Sequence, residues 1–394
     1  MDETQTNHLK AYGIAFWLLE NDIEIQWLLN YRGGSFLVKS AKEIEEECII
    51  RGVTYNVIAD IQALSILEEI ADPEVNMEAV KLEQFPKIAV YSPKSKLPWD
   101  DAVTLVMEYA EIPYEVIYDT EIINGVLPKY DWLHLHHEDF TGQFGKFYNS
   151  YKNAQWYKQQ VNELETIAAN LGYEKVSDLK QGVVKNISAY VAGGGYLFTM
   201  CSGTDTYDIA SAAMGLDICE SMYDGDGADP NAQSKLNFDN TFAFKDFTLE
   251  PNALRYEYSS IDATNIHTKI GQTRDFFTLF NFSAKWDIVP TMLTQNHEKV
   301  IKGFMGQTTA FKKEFIKSNV LILGESPKYN TAKYIHGEFG LGQWTFYAGH
   351  DPEDYTHRVS DPPTDLNLYP NSSGYRLILN NILFPAAKKK KRKT

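Results

Sequence analysis

Tyr196-Leu-Phe-Thr-Met-Cys201-Ser-Gly-Thr-Asp205-Thr-Tyr-Asp-Ile-Ala-Ser-Ala-Ala213 is the stretch whose reading decides the fold. The segment up to Met200 reads as a short apolar strand, Cys201-Ser202-Gly203 as a sharp turn, and Thr204 to Ala213 as a helix. A nucleophile at the tip of such a strained turn has its side chain exposed, and the next backbone N–H is free to hold an oxyanion. Cys201 is therefore the candidate nucleophile, with the N–H of Ser202 as oxyanion donor and Gly203 completing the turn. A thiolate at a helix N-terminus is stabilised by free N–H groups and the helix dipole. Two residues depart from the ideal: Thr199 stands where the turn usually carries glycine, and Asp205 sets a negative charge in the first helical turn. The alternative role for Cys201 is a small buried residue ending a central strand. Burial suffices for the other two cysteines, Cys48 and Cys219.

Working outward, apolar runs alternate with helix-like stretches through the first half of the chain, the pattern of an α/β fold with a mostly parallel sheet and helices on both faces. Strands are expected at 25–29, 53–58, 87–91, 114–118, 131–136 and 196–200. Helices are expected at 41–51, 61–70, 100–110, 178–192 and, bent or broken, 146–171. From about 221 to 318 the rhythm changes to an antiparallel, loop-rich insertion marked by Asp224-Gly-Asp-Gly-Ala-Asp-Pro230 and the aromatic alternation Phe242, Phe244, Phe247. The β/α pattern then returns with Val320–Leu323, a hairpin over 333–348 turning at Gly340–Gly342, and a closing helix at 374–384. Residues 1–84 form an α/β segment, either packed on the same sheet or folded as a small subdomain. Its first helix, Asn7 to Glu20, stands where such a chain normally opens on a strand, so a further N-terminal strand and an export signal are expected to precede it.

The chain has 394 residues, enough for one large domain or two ordinary ones. Its formal charge is −16 even with the six basic residues at 388–393, so the body repels phosphate backbones and nucleic acid is not an expected partner. The basic run itself reads as a disordered, solvated tail. No apolar run approaches the ~20 residues of a membrane span. A soluble cytoplasmic protein fits, as does an exported periplasmic one if a leader has been removed.

A catalytic cysteine needs a base. His350 ends the strand Gln343-Trp-Thr-Phe-Tyr-Ala-Gly349, and Asp351 or Glu353 can orient its imidazole. A second cluster, His134-Leu-His136-His137-Glu138-Asp139, ends another expected strand. His136, His137 and Glu138 would line the cleft, and His134, His136 and Glu138 offer a divalent metal an i, i+2 imidazole pair and a carboxylate. The chemistry otherwise calls for no cofactor. In an α/β sheet the carboxyl ends of the strands converge on one cleft, which would gather Cys201, His136, His137 and His350. The expected ligand is a small amide or sugar; the oligomeric state is left open.

The strands near 87–91, 114–118 and 131–136, the cysteine turn at 201 and the late histidine at 350 resemble the class I glutamine amidotransferase-like superfamily. Gly193-Gly-Gly195, Gly349-His350 and Ser373-Gly-Tyr-Arg-Leu-Ile-Leu-Asn-Asn-Ile-Leu-Phe384 are similar to its ThuA-like branch, which is associated with carbohydrate metabolism. The resemblance covers roughly residues 85–220 and 318–387. It implies a flavodoxin-like domain over 85–394, and a cysteine-dependent amidohydrolase or amidotransferase in which Cys201 attacks a carboxamide and His350 shuttles the proton. The ThuA-like branch implies an alternative, a carbohydrate-binding or carbohydrate-processing protein with a structural cysteine. The family's orienting glutamate falls two residues after the histidine, where Pro352 stands, with Glu353 one place further. Relatives from Bacteroidetes-type bacteria labelled asparagine synthetase B suggest a third activity. Against it, Asp2 occupies the place of the N-terminal cysteine that a glutamine-dependent synthetase needs, and Ser202-Gly-Thr-Asp-Thr206 is one residue short of the nucleotide loop.

Overall fold

The computed structural model describes residues 1–95, 97–295 and 298–387; the basic run at 388–393 lies outside the described residues. Strands β1 (Ile25–Leu29), β2 (Ser35–Leu37) and β3 (Glu78–Leu82) form a separate antiparallel sheet in the order β2-β1-β3. The stretch 53–58 is not a strand. It is largely exposed, and Gln5 takes up both the N–H and the C=O of Thr54, so no sheet edge claims it.

The remaining strands build one ten-stranded mixed sheet. Strands β4 (Ile88–Tyr91), β5 (Glu115–Ile117), β6 (Trp132–Leu135) and β7 (Tyr196–Met200) precede the insertion. The short strands β8 (Phe276–Leu279), β9 (Val300–Lys302) and β10 (Phe311–Lys312) come from it. Strands β11 (Leu321–Ser326), β12 (Thr331–Phe339) and β13 (Gly342–Tyr347) close the sheet. β5, β4, β6, β7 and β13 lie side by side and parallel, and β12, β11, β8 and β9 continue antiparallel from β13.

Side-chain alternation explains why the parallel strands are apolar throughout. Ile88, Val90, Trp132, Phe198 and Met200 enter the core under helices His8–Glu20, Ala102–Ala110 and Ser373–Leu383. Ala89, Tyr91, Leu133, Leu135 and Leu197 enter the opposite core under helices Gln155–Asn170, Val176–Ala192 and Ser202–Ala212. Both faces are covered, so each large aliphatic side chain on these strands is worth about 1.5–3 kcal/mol of burial whichever way it points. The helix expected over 146–171 is two, Tyr148–Tyr151 and Gln155–Asn170, because Ala154 is extended and starts the second anew. In the insertion, expected pairing among the aromatic residues is reduced to isolated bridges, Phe244 with Ile316 and Leu249 with Ser259. The buried carboxylate of Asp208 instead accepts the N–H groups of Phe242, Ala243 and Phe244 at 2.7–2.9 Å, tying the insertion to the helix behind Cys201. Lys175 fills the aspartate cluster of 217, 224 and 226 as an ion-pair partner. No described helix is long and apolar enough to cross a membrane.

Candidate active site

The cleft forms where β4, β6, β7 and β13 end. Parallel register sets Met200 beside Tyr347 and Leu135 beside Thr199, so the residues leaving these strands are neighbours. The N–H of Cys201 donates to Gly349 O at 3.2 Å, and the N–H of Gly203 donates to His136 O at 2.7 Å. A Cβ on Gly203 would stand 2.2 Å from that carbonyl oxygen, so only glycine allows the helix to approach the end of β6 this closely. Cys201 has φ +50° and ψ −137°, a conformation that costs a non-glycine residue about 1–3 kcal/mol. The strained strand-to-helix turn read from the sequence is therefore present.

Cys201 is only 3 % exposed, and among the described residues the hydrogen-bond donor to its sulfur is the backbone N–H of Gln307 at 3.3 Å. Gln307 belongs to a loop, residues 304–309, held from below by the buried ammonium of Lys333, which donates to Thr309 O at 2.7 Å and to Phe304 O. Burial pushes the Lys333 ammonium down to about 7, against the raising influence of Asp275 and Cys201. The same loop reaches the other side of the cleft, since Gln307 Nε2 donates to Gly145 O at 2.8 Å. Asp205 is fully buried; its carboxyl is pushed up to about 8 by burial, although the hydroxyl of Thr308 donates to it at 2.7 Å. It is thus largely neutral near pH 7 and does not set the opposing charge that its place in the first helical turn implied. Ser202 opens the helix, so its N–H has no intrahelical acceptor, while its buried hydroxyl oxygen has no partner among the described residues.

Beside the cysteine turn lie four imidazoles. The rings of His136 and His350 are 4.6 Å apart, those of His136 and His137 4.8 Å, and His350 stacks on His357 at 4.4 Å. Two consecutive aspartates after β4 hold this group. Asp101 caps helix Ala102–Ala110 by accepting from the N–H groups of Val103 and Thr104, at 2.7 and 3.1 Å. Its carboxylate also meets His134 Nε2 at 3.1 Å and His136 Nδ1 at 3.0 Å. Burial alone would raise the Asp101 carboxyl, but the two histidines hold it well below the usual range. Asp100 stands 3.0 Å from His357 Nε2 and 3.8 Å from His350 Nε2. Asp354 takes the other nitrogen of His357 at 3.0 Å.

Cys201, Ser202, Gly203, His136, His137 and His350 thus share one cleft. Asp351 and Glu353 make their contacts elsewhere. Asp351 accepts from Tyr375 Oη at 2.7 Å and from the N–H of Glu353, and the Glu353 carboxylate faces Lys302 at 3.9 Å. The carboxylate facing His350 is Asp100. His134 has one nitrogen 3.2 Å from Phe198 O and the other 3.1 Å from Asp101, so both nitrogens already face partners. Glu138 accepts from Tyr118 Oη at 3.4 Å, next to the buried group of Lys180, Asp119 and Tyr91, and burial pushes its carboxyl up to about 7. Sequence reasoning missed Asp100, Asp101, His357, Gln307 and Lys333. Asp100 and Asp101 had a usable signal: paired acids in the loop between the first parallel strand and its helix sit where α/β sheets bind ligands. Gln307 and Lys333 had none, since a backbone donor and a buried ammonium carry no motif.

No family model matches the chain, and no curated protein matches it. Among solved structures, two cytoplasmic proteins of Salmonella typhimurium are similar over 77 % of this chain and 100 % of theirs, at 10 % identity and TM-scores of 0.35 and 0.37. A β-galactosidase from Bacillus circulans sp. alkalophilus is similar over 80 % of this chain and 33 % of its own, at 14 % identity and a TM-score of 0.30. Likeness at this level carries no argument about function.

Proposed function

We propose that the chain is a hydrolase of the class I glutamine amidotransferase-like type, cleaving the C–N bond of a small carboxamide with Cys201 as nucleophile. The observation that carries this reading is the backbone of Cys201, a non-glycine residue held at φ +50° between a parallel strand and a helix. Strain of this kind is kept where a side chain must be presented at the head of a helix. The neighbouring order β5-β4-β6-β7-β13 supports a flavodoxin-like domain, whose ligands bind where these strands end.

In this mechanism the thiol proton passes to His350 and the sulfur adds to the carboxamide carbon. The oxyanion is held by the Ser202 N–H; the imidazolium returns its proton to the leaving nitrogen as the C–N bond breaks. Water then hydrolyses the thioester. Asp100, rather than Asp351 or Glu353, would orient His350. The thiol must turn from Gln307 toward the imidazole, a movement that substrate entry would drive. Ammonia release from glutamine and a panel of simple carboxamides tests the reading, with Cys201→Ala and alkylated protein alongside. Undiminished turnover in either excludes the mechanism.

A ThuA-like sugar-binding reading has one observation in its favour. Trp99, whose ring lies 5.2 Å from that of His137, packs with Phe147 and Trp156 to form an aromatic wall beside the imidazoles. Thermal shifts induced by sugars, retained in Cys201→Ala, would select it over amide hydrolysis.

A further inference from the structure

The cleft brings together more unpartnered imidazole nitrogen than Cys–His chemistry requires. One ring nitrogen from each of His136, His137 and His350 lies within 4.8 Å of the other two, and Asp100, His350 and His357 form a second such group sharing His350. His136 is 1 % exposed and His350 6 %, yet His136 Nε2, His137 Nδ1 and His350 Nε2 are buried without a directed hydrogen bond among the described residues. Buried polar atoms are normally paired, so several converging on one place mark a site for something that pairs them.

We propose that His136, His137 and His350 bind a divalent transition metal of the zinc class, with the Asp100 carboxylate beside it. Three neutral imidazoles with one further position suit Zn²⁺. Asp101 lies 3.0 Å from His136 Nδ1, the place a carboxylate takes behind a ligating histidine. His357 in turn holds Asp100 and is itself held by Asp354. Zn–N bonds of about 2.0–2.1 Å set tetrahedral ligand nitrogens about 3.4 Å apart, so the rings close by an ångström or so. The set differs from the one expected along β6: His134 faces Phe198 O and Asp101, and Glu138 faces Tyr118.

The inference goes beyond the hydrolase reading and does not rest on it. A bound ion takes the His350 lone pair that proton transfer needs. If both hold, loading the site suppresses amide hydrolysis and chelation restores it.

The test is metal content of the full chain after chelation, dialysis and reloading with Zn²⁺, and the visible spectrum of the Co²⁺ form. About one ion per chain, a tetrahedral Co²⁺ spectrum without thiolate charge transfer, and full loading of Cys201→Ser are expected. His137→Gln and His350→Gln should lose the ion, and Asp101→Asn should weaken it about 10- to 100-fold. Failure to retain zinc, unchanged loading in folded His137→Gln or His350→Gln, or a thiolate–cobalt band overturns the proposal. The wild-type Co²⁺ spectrum decides the matter even where a variant does not fold, and metal content is read without any substrate.

Discussion

Replacing Gly203 by alanine tests whether the cleft is assembled by the close approach of the cysteine helix to the end of β6. The added methyl carbon would lie 2.2 Å from His136 O, whereas an unstrained carbon–oxygen contact is about 3.3–3.6 Å. The obstacle is backbone on a buried parallel strand and cannot rotate away, so the helix start must move by about 1 Å. Overpacking of this kind costs about 1–3 kcal/mol, and losing the Gly203 to His136 hydrogen bond adds about 0.5–1.5 kcal/mol. The sum is about 1.5–4.5 kcal/mol. Unfolding entropy of about 2.1 cal/mol/K per residue gives about 0.8 kcal/mol/K for 394 residues, so Tm should fall by about 2–5 °C. The same displacement pulls Cys201 from Gly349 O and from the Gln307 N–H, so the buried thiol should react faster with a disulfide reagent. Differential scanning calorimetry and timed thiol labelling of folded protein read the two effects. A variant with wild-type Tm and labelling rate would refute the claim that this contact sets the geometry of the site.

Cys201→Gly should be more stable than Cys201→Ala by about 1 kcal/mol, because glycine tolerates positive φ; equal urea midpoints would remove the strain argument. Lys180 is buried against Asp119 at 3.0 Å and against Tyr91 Oη at 2.8 Å. Lys180→Met should therefore cost about 3–5 kcal/mol, and adding Asp119→Leu should recover part of it; an additive double variant would exclude coupling. Burial raises the Asp208 carboxyl to about 6 despite three backbone N–H donors, above its ordinary 3.8, so the folded state binds that proton more tightly than the unfolded state. The contribution to stability is then largest below about pH 4 and falls as pH rises through 6. The stability gap between wild type and Asp208→Asn should shrink by about 2.4 kcal/mol between pH 4 and 7, measured by urea unfolding at both; a constant gap contradicts it.

Much of the parallel sheet was legible because its strands are short apolar runs with both faces covered, a pattern that local sequence carries. β4, β5, β6, β7 and β13 lie within a residue or two of their expected places. The stretch 53–58 has similar composition but finds no sheet edge, and no local pattern reports whether an edge is free. The insertion is antiparallel and loop-rich as expected, but its paired strands β8, β9 and β10 lie outside the aromatic alternation at 242–247. Its aromatic residues pack into a core shared with the sheet while their backbone is held by single bridges and by Asp208, so alternation there records burial without pairing.

By itself the sequence determined that Cys201 sits at a strand-to-helix turn and that histidines end two other strands, since both follow from local periodicity and turn chemistry. Tertiary structure alone decided which carboxylate meets which imidazole. Asp100 and Asp101 lie 250 and 249 positions before His350 in the chain, yet parallel register brings the end of β4 beside β6 and helix capping aims Asp101 at His134 and His136. Asp351 and Glu353, adjacent in sequence, turn toward Tyr375 and Lys302. Proximity along the chain fixes backbone distance only; the direction of a side chain is set by the partners that packing brings to it.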